Sequence, residues 1–270
     1  MNIYVFLLCY NEGVLLPHTV AHYRSYMPNC IITIYDNMST DNSVDIAKNL
    51  GCIVISWQSN GMDDFKQSKI KNSCWHNITD GWVICADMDE WLCVTDDHLY
   101  NEYLDGTTIL QIKGINIVGR SNSVLLNDVN LHNLYKGFYF HYEHKKLCFF
   151  VPEIKSVNYS VGAHKAKFTG NIKYSTKIYI NKHMDLLGLP YFLNKKKNRT
   201  NRLVINGYNK LSMKNFELKK LWYNPNMNYH KKYYLHCVKK SKNYSHLLLI
   251  NENKKILKIF IELFIKFAIY

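Results

Sequence analysis

Acid is what the ends of the apolar runs carry. Asn11 and Glu12 follow Ile3 to Cys9, Asp36 and Asn37 follow Ile31 to Tyr35, and Asp87-Met88-Asp89-Glu90-Trp91 follows Trp82 to Ala86. Two carboxylates at i and i+2 just past a strand can reach one hard divalent ion, directly or through water, and leave coordination positions for diphosphate oxygens. One Asp-x-Asp recurs often by chance. Three acidic turns at strand ends are more demanding, because in an open α/β sheet the ligand lies outside the carboxyl ends of the strands, and convergence there calls for a cation. The glycine patterns that cradle phosphate are absent: no two Gly are spaced Gly-x-Gly and no Gly precedes a Lys, which argues against a dinucleotide-binding dehydrogenase and a P-loop enzyme.

The elements that must position these turns follow from hydrophobic pattern. Ile3 to Cys9, Ile31 to Tyr35, Cys52 to Trp57 and Trp82 to Ala86 are continuous apolar runs, as expected of parallel strands buried on both faces. Between them the spacing predicts helices over Gly13 to Tyr26, Asp41 to Leu50 and Asp64 to Ile78, with Asp41 as a helix start and Asn49-Leu50-Gly51 as a stop. Strand-helix alternation predicts an open, mostly parallel α/β sheet flanked by helices. From Thr107 the rhythm changes. Short runs at Thr108 to Ile112, Tyr139 to Tyr142, Leu147 to Val151 and Lys177 to Ile180 predict antiparallel additions, and the region after Pro190 reads as basic and helical. The expected division is a catalytic domain over 1–186 and a basic, mostly helical extension over 187–270.

Charge divides the chain in the same sense. Residues 1–135 hold 7 Lys and Arg against 15 Asp and Glu, and residues 136–270 hold 27 against 6. That polarity suits a metal site followed by an anion-facing surface. None of the eight Cys form a Cys-x-x-Cys pair, so zinc ribbons and dithiol redox motifs lose support, and all eight read as reduced. The start, Met1-Asn2-Ile3, has no basic flank, and its apolar run is too short for a signal peptide or a span, so the expected address is cytoplasmic.

Cys9-Tyr10-Asn11-Glu12, then Tyr35-Asp36-Asn37-Met38-Ser39-Thr40-Asp41, then Asp87-Met88-Asp89-Glu90-Trp91 resemble three ordered motifs of nucleotide-sugar glycosyltransferases with the GT-A fold, in the family 2-like group. The resemblance covers about the first 110 residues. Lys155-Ser156-Val157 and Gly162-Ala163-His164 resemble that group's basic strand and downstream metal-binding His, and Asn181-Lys182-His183 with Lys195 faintly resembles a later pattern. The Asn- and Lys-rich composition is similar to that of glycosyltransferases of giant DNA viruses. The resemblance implies transfer of a sugar, hexosyl or N-acetylhexosaminyl, from a nucleotide-sugar donor, UDP-linked by preference, to a glycan, protein or lipid hydroxyl, with inversion. It implies Tyr10 beside the nucleobase, Glu12 accepting from ribose or base, Asp36 accepting from a base imide N–H, Asn11 and Asn37 among the nucleotide-binding residues, and Asn37 and Asp41 shaping the turn. Asp87 would hold ribose or a metal-bound water, and Asp89 the metal, with His164 as third ligand. An imidazole beside carboxylates tilts the ion toward Mn2+, with Mg2+ as substitute. An inverting transfer needs a base. The usual Glu-Asp pair is missing, leaving Asp185, Glu153, Glu143 and Asp128, of which Asp185 beside His183 is the candidate and a helix cap the competing reading.

Other features weigh less. His18 and His22 have the i, i+4 spacing of a zinc pair without the Glu of His-Glu-x-x-His, so packing is the expectation. His141-Tyr142-Glu143-His144 would split its ligands across two strand faces. Lys66, Gln67 and Lys69 could touch the diphosphate or simply face solvent. Tyr223, Tyr229, Tyr233 and Tyr234 could form a stacking platform or pack on the sheet. Lys254 to Tyr270 is apolar but for Lys258, Glu262 and Lys266, and is expected to pack within the chain, form a homodimer seam or lie on a membrane surface. Two rival readings stand beside the transferase: a nucleotidyltransferase, which should carry a Gly-rich basic loop after the first strand, and a nucleic-acid-binding protein using the basic half, which leaves the acidic turns unexplained.

Overall fold

A computed structural model of the chain describes residues 1–140, 144–205 and 226–245. Its first third alternates strand and helix: β1 (Ile3–Cys9), α1 (Leu16–Tyr26), β2 (Ile31–Asp36), α2 (Ser43–Asn49), β3 (Ile53–Ser56), α3 (Asp64–Ser73) and β4 (Trp82–Asp87). β1 runs parallel to β2 and β4, and β2 runs parallel to β3. The continuous apolar runs have the expected cause. Val5, Leu7, Trp82 and Ile84 enter one buried cluster with Leu16, Val20 and Tyr23 of α1, while Phe6, Val83 and Cys85 enter a second one on the opposite face.

The remainder comprises β5 (Glu90–Cys93), α4 (Asp96–Leu104), β6 (Ile109–Ser121), β7 (Lys136–Tyr139), β8 (Cys148–Phe150), β9 (Ile154–Tyr159), β10 (Ala166–Gly170), β11 (Tyr174–Gly188), α5 (Leu189–Ile205), α6 (Met227–Lys240) and β12 (Lys242–Asn243). The sheet order is β12-β7-β6-β8-β4-β1-β2-β3, with β11 joining β5 and β6. β8 lies antiparallel to β4 and β6, and β7 antiparallel to β6, so the antiparallel additions are present. β9 and β10 form a separate two-stranded antiparallel sheet. The fold is thus α/β, with a mostly parallel central sheet flanked by helices and a small antiparallel sheet.

Several boundaries differ from the expectation. The cap of α2 is Asn42, not Asp41, whose oxygens are used by Ser43 and by the backbone of Gly13. α3 stops at Ser73, five residues short of Ile78. β5 and α4 had no counterpart; α4 opens on a capping box between Thr95 and His98. β6 and β11 run 13 and 15 residues and lie parallel to each other, far longer than the short runs expected there. At Gly119 the two backbones approach so closely that a Cβ would sit 2.3 Å from the Leu187 carbonyl oxygen.

The expected boundary at 186/187 falls inside β11. Beyond it, Phe192 of α5 packs with Tyr234 and Cys237 of α6 against Val118 and Leu186 of the sheet, and the Tyr234 hydroxyl donates to the Gly119 carbonyl at 2.7 Å. Tyr234 is therefore a packing residue. All eight cysteines are free thiols. Among the described residues no helix is long and apolar enough to cross a membrane. Lys254 to Tyr270, Tyr223, His141 and Glu143 lie outside the described residues.

Candidate active site

The register brings the acidic turns to one edge. Cys9 pairs with Asp36 and Leu8 with Asp87, so β1, β2 and β4 end side by side. Just past these ends lies a cavity of 590 Å³ whose lining includes Tyr10, Asn11, Glu12, Asn37, Asp87, Asp89, His164, His183 and Asp185. Side chains from α5 close it: Tyr191, Lys195, Lys196, Arg199 and Arg202.

The first two turns are stitched together. Asn11 takes a left-handed φ of 51°, which Asn tolerates better than most residues. Its Oδ1 accepts from the Thr40 backbone at 2.7 Å while its own N–H donates to Ser39 Oγ at 2.8 Å. The Glu12 N–H donates to Ser43 Oγ at 2.9 Å. Asn37 Nδ2 donates to the Trp57 carbonyl, and its Oδ1 accepts from Ser59 Oγ at 3.0 Å and from Arg202. Asp36, the expected base reader, is 2% exposed and not on the cavity lining. Its two oxygens each accept one bond, from the Ser39 N–H at 3.0 Å and from Ser39 Oγ at 2.5 Å, a local turn that engages the carboxylate.

The third turn carries most of the charge. Asp87 Oδ1 lies 2.7 Å from Lys71 Nζ, and Oδ2 lies 3.3 Å from Lys145 Nζ. Glu90, fully buried, braces the same turn: Oε1 lies 2.6 Å from Lys145 Nζ, and Oε2 accepts from the Asp87 N–H at 2.8 Å. Asp89 Oδ2 lies 2.8 Å from Lys195 Nζ and 3.5 Å from His183 Nε2. Lys195 also reaches Glu12 Oε1 at 3.2 Å, so one ammonium bridges carboxylates from two strand ends. His183 Nδ1 lies 2.5 Å from Asn116 Oδ1, which orients the ring. Behind the turn, buried Trp91 donates from Nε1 to Thr19 Oγ1 at 2.8 Å, and that hydroxyl donates to the Met88 carbonyl at 2.8 Å.

These contacts set the ionisation. Burial alone would raise the Asp87 and Asp89 carboxyls, but Lys71 and Lys145 hold the first below the ordinary carboxylate range, and Lys195 with His183 holds the second well below it. Glu12 goes the other way: burial raises it to about 7 against the opposing pull of Lys195. Asp185 is buried, yet Lys196 at 2.9 Å and Lys195 keep it below its ordinary value. Burial lowers Lys196 to about 8 although Asp185 opposes the shift.

Asp87, Asp89 and His164 thus share one cavity and offer oxygen and imidazole donors of the kind Mn2+ or Mg2+ accepts. Among the described residues, no three His, Cys, Asp or Glu side chains are already gathered as a metal shell. Asp87 and Asp89 are donors of the type a divalent ion accepts, and in the structure their charge is balanced by Lys71, Lys145 and Lys195. Lys66 falls outside the lining; its Nζ donates to the Gln58 carbonyl at 3.3 Å. His22 is a packing residue: its ring stacks on Trp91 at 5.0 Å, and burial lowers it to about 3. Glu153 binds Asn171, and Asp128 binds Ser121, both away from the cavity lining.

The chain is similar to solved structures over most of its length. Residues 1–349 of Staphylococcus aureus TarS match at 16% identity, covering 83% of this chain and 78% of that one, with a TM-score of 0.38. The same protein in complex with UDP-GlcNAc matches at 15% identity over the same shares, with a TM-score of 0.39. The mannosyltransferase PcManGT from Pyrobaculum calidifontis, in complex with GDP-Man and Mn2+, matches at 12% identity, covering 87% of this chain and 70% of that one, with a TM-score of 0.40. No protein-family profile matches the chain, and no curated protein does.

The sequence left several members of this site unassigned. Lys71, Lys145 and Arg202 carry no motif. Glu90 stood inside a quoted motif without a role, and its signal was available: a Glu three residues after Asp87 can fold back on that residue's N–H.

Proposed function

We propose that the protein is a metal-dependent glycosyltransferase that moves a hexosyl or N-acetylhexosaminyl group from a nucleotide-diphosphate sugar, UDP-linked by preference, to an acceptor hydroxyl with inversion. One observation carries this reading: carboxylates from two separated strand-end turns, Glu12 and Asp89, are drawn onto a single cation, the Lys195 ammonium, in the lining of a cavity large enough for a nucleotide.

Asp87 and Asp89 with His164 would hold Mn2+ or Mg2+, which neutralises charge on the departing diphosphate. The chain's own residues do the rest. Tyr10 and Asn37 border the nucleoside end, Asn11 and Glu12 shape the turn beside it, and Lys145 and Lys195 supply ammoniums at the diphosphate end. Asp185 is kept as a carboxylate by Lys196 and lines the same cavity, so it is the group we assign to accept the acceptor's proton. The nucleic-acid reading loses ground, because Lys195, Lys196, Arg199 and Arg202 of α5 line this cavity.

The test is a thermal melt of the full chain with UDP and Mn2+, then a panel of sugar nucleotides assayed for Mn2+-dependent release of nucleoside diphosphate. UDP with Mn2+ should raise Tm, and Asp89→Asn should abolish the shift. Absence of any shift with every nucleoside diphosphate would sink the reading.

A further inference from the structure

The cavity has two chemically distinct ends. One is ionic, built from Asp87, Asp89, Lys145 and Lys195. The other is aromatic and amide-bearing: Tyr10 follows β1, Asn37 follows β2, Trp57 follows β3 and Met62 precedes α3. Into that end α5 sends Arg202, from a helix far in sequence from the acidic motifs. Its guanidinium carbon lies 3.6 Å from the centre of the Tyr10 ring, close enough for a cation–π contact. Its Nη2 donates to Asn37 Oδ1 and, at 2.7 Å, to the Gly61 carbonyl.

A guanidinium carries five N–H donors and no acceptor. The carboxylate that strand-end logic would offer a base, Asp36, is turned away, with both oxygens held by Ser39. Asn37 is likewise engaged, its amide nitrogen with Trp57 and its oxygen with Ser59 and Arg202. Asp64, two residues past Met62 and within electrostatic reach of Arg202, is the acceptor on this part of the lining, while Arg202 itself offers only donors, and a base facing that guanidinium is best matched by a carbonyl oxygen. Uracil and guanine carry exocyclic carbonyls; adenine carries none.

We propose that Arg202 is the specificity-determining residue at the nucleoside end, donating from its guanidinium to an exocyclic carbonyl of the donor base. A purely structural role is the competing account, since the Met62 N–H also meets the Arg202 carbonyl at 3.5 Å and the side chain staples α5 to the Trp57–Met62 loop. The two roles differ in what they predict. Loss of a staple weakens every nucleotide alike, whereas loss of a base reader changes their ranking.

The proposal rests on the nucleotide-donor reading, and calorimetric titration separates the two. UDP, GDP and ADP are titrated, with Mn2+ present, into the native chain, Arg202→Met and Arg202→Lys. The native chain should bind UDP or GDP about tenfold or more tighter than ADP, the scale of one well-made side-chain pair to a base edge. Arg202→Met should bring that ratio within about threefold, and Arg202→Lys should fall the same way, because an ammonium keeps the charge and loses the planar fork. Arg202→Lys also preserves a cation over Tyr10, so its ratio decides should the Met variant loosen α5. Equal affinity of the native chain for all three nucleotides, or an unchanged ratio in Arg202→Lys with uniform weakening, would overturn the assignment. Failure of the native chain to bind any of the three would overturn the donor reading and this assignment with it.

Discussion

Replacing Lys145 by Met should destabilise the fold by about 3–5 kcal/mol, the range for a buried ion pair that loses one partner. The size follows from where the pair sits. Glu90 is 0% exposed, its Oε1 is 2.6 Å from Lys145 Nζ, and the Lys145 side chain is itself 5% exposed, so solvent screens neither charge. The second contact of Lys145, 3.3 Å to Asp87, adds little, because that carboxylate is 34% exposed and retains Lys71. For a chain of this length, about 3 kcal/mol corresponds to a fall in Tm of roughly 6–12 °C. Melts and urea titrations at pH 7 on the native chain, Lys145→Met, Glu90→Gln and the double variant make the test. Glu90→Gln keeps an acceptor for the Asp87 N–H and leaves Lys145 beside Asp87, so it should cost less than Lys145→Met. The double variant leaves no unpaired charge on Glu90, and the cycle should return a coupling of about 2 kcal/mol or more. A Lys145→Met protein that melts within a degree of native, or costs that simply add in the double variant, would refute the reasoning.

Two further outcomes follow from the same site. Glu12 is raised to about 7 from its ordinary 4.5, chiefly by burial, so folding favours its protonated form. Its contribution to stability is full below pH 4.5 and is lost as pH rises through 7, and Glu12→Gln should flatten the urea midpoint across that window; equal slopes in the two proteins would count against it. Thr19→Val keeps the shape but removes the hydroxyl between Trp91 Nε1 and the Met88 carbonyl, and should cost about 1–3 kcal/mol in urea unfolding for stranding a buried indole N–H. A cost under about 0.5 kcal/mol would show that the link does not brace the turn.

How much of this was legible depended on whether the signal was local. β1, β2 and β4 are readable because a strand buried on both faces is largely apolar, and the acidic residues at their ends mark where the apolar run stops, although Asp36 is itself buried. β5 is not, since Glu90–Cys93 is four residues with no period of its own and exists by pairing with β11, ninety residues away in sequence. Asp36 shows the converse. Its place at a strand end is legible, yet Ser39, three residues on in the same motif, supplies a hydroxyl and an N–H that engage the carboxylate, which is not on the cavity lining. The second half hid its part most completely. Lys is ordinary on any solvated helix, so only a faint resemblance separates Lys195, which bridges Glu12 and Asp89, from Lys197 two residues on, which is exposed.

The opposed charges of the two halves acquire a meaning only at the cavity. Among the described lining residues, Glu12, Asp64, Asp87, Asp89 and Asp185 face Lys145, Lys165, Lys195, Lys196, Arg199 and Arg202. Such near balance is not the one-sided field by which a surface gathers polyanions at long range. Several of these cations are instead satisfied at short range, Lys195 by Asp89 and Glu12, Lys196 by Asp185, and Lys145 by Glu90. An entering diphosphate gains little from Lys195 unless it takes the place of a carboxylate, and a carboxylate so released is a buried charge in need of a cation of its own. On the proposed reading both needs would be met together: Lys195 would serve the diphosphate, and Asp89 would be one of the residues holding the divalent ion. The ammonium that Glu12 and Asp89 share would then be the group that meets the donor, which would give a helix from the basic half a reason to close a cavity built by the acidic one.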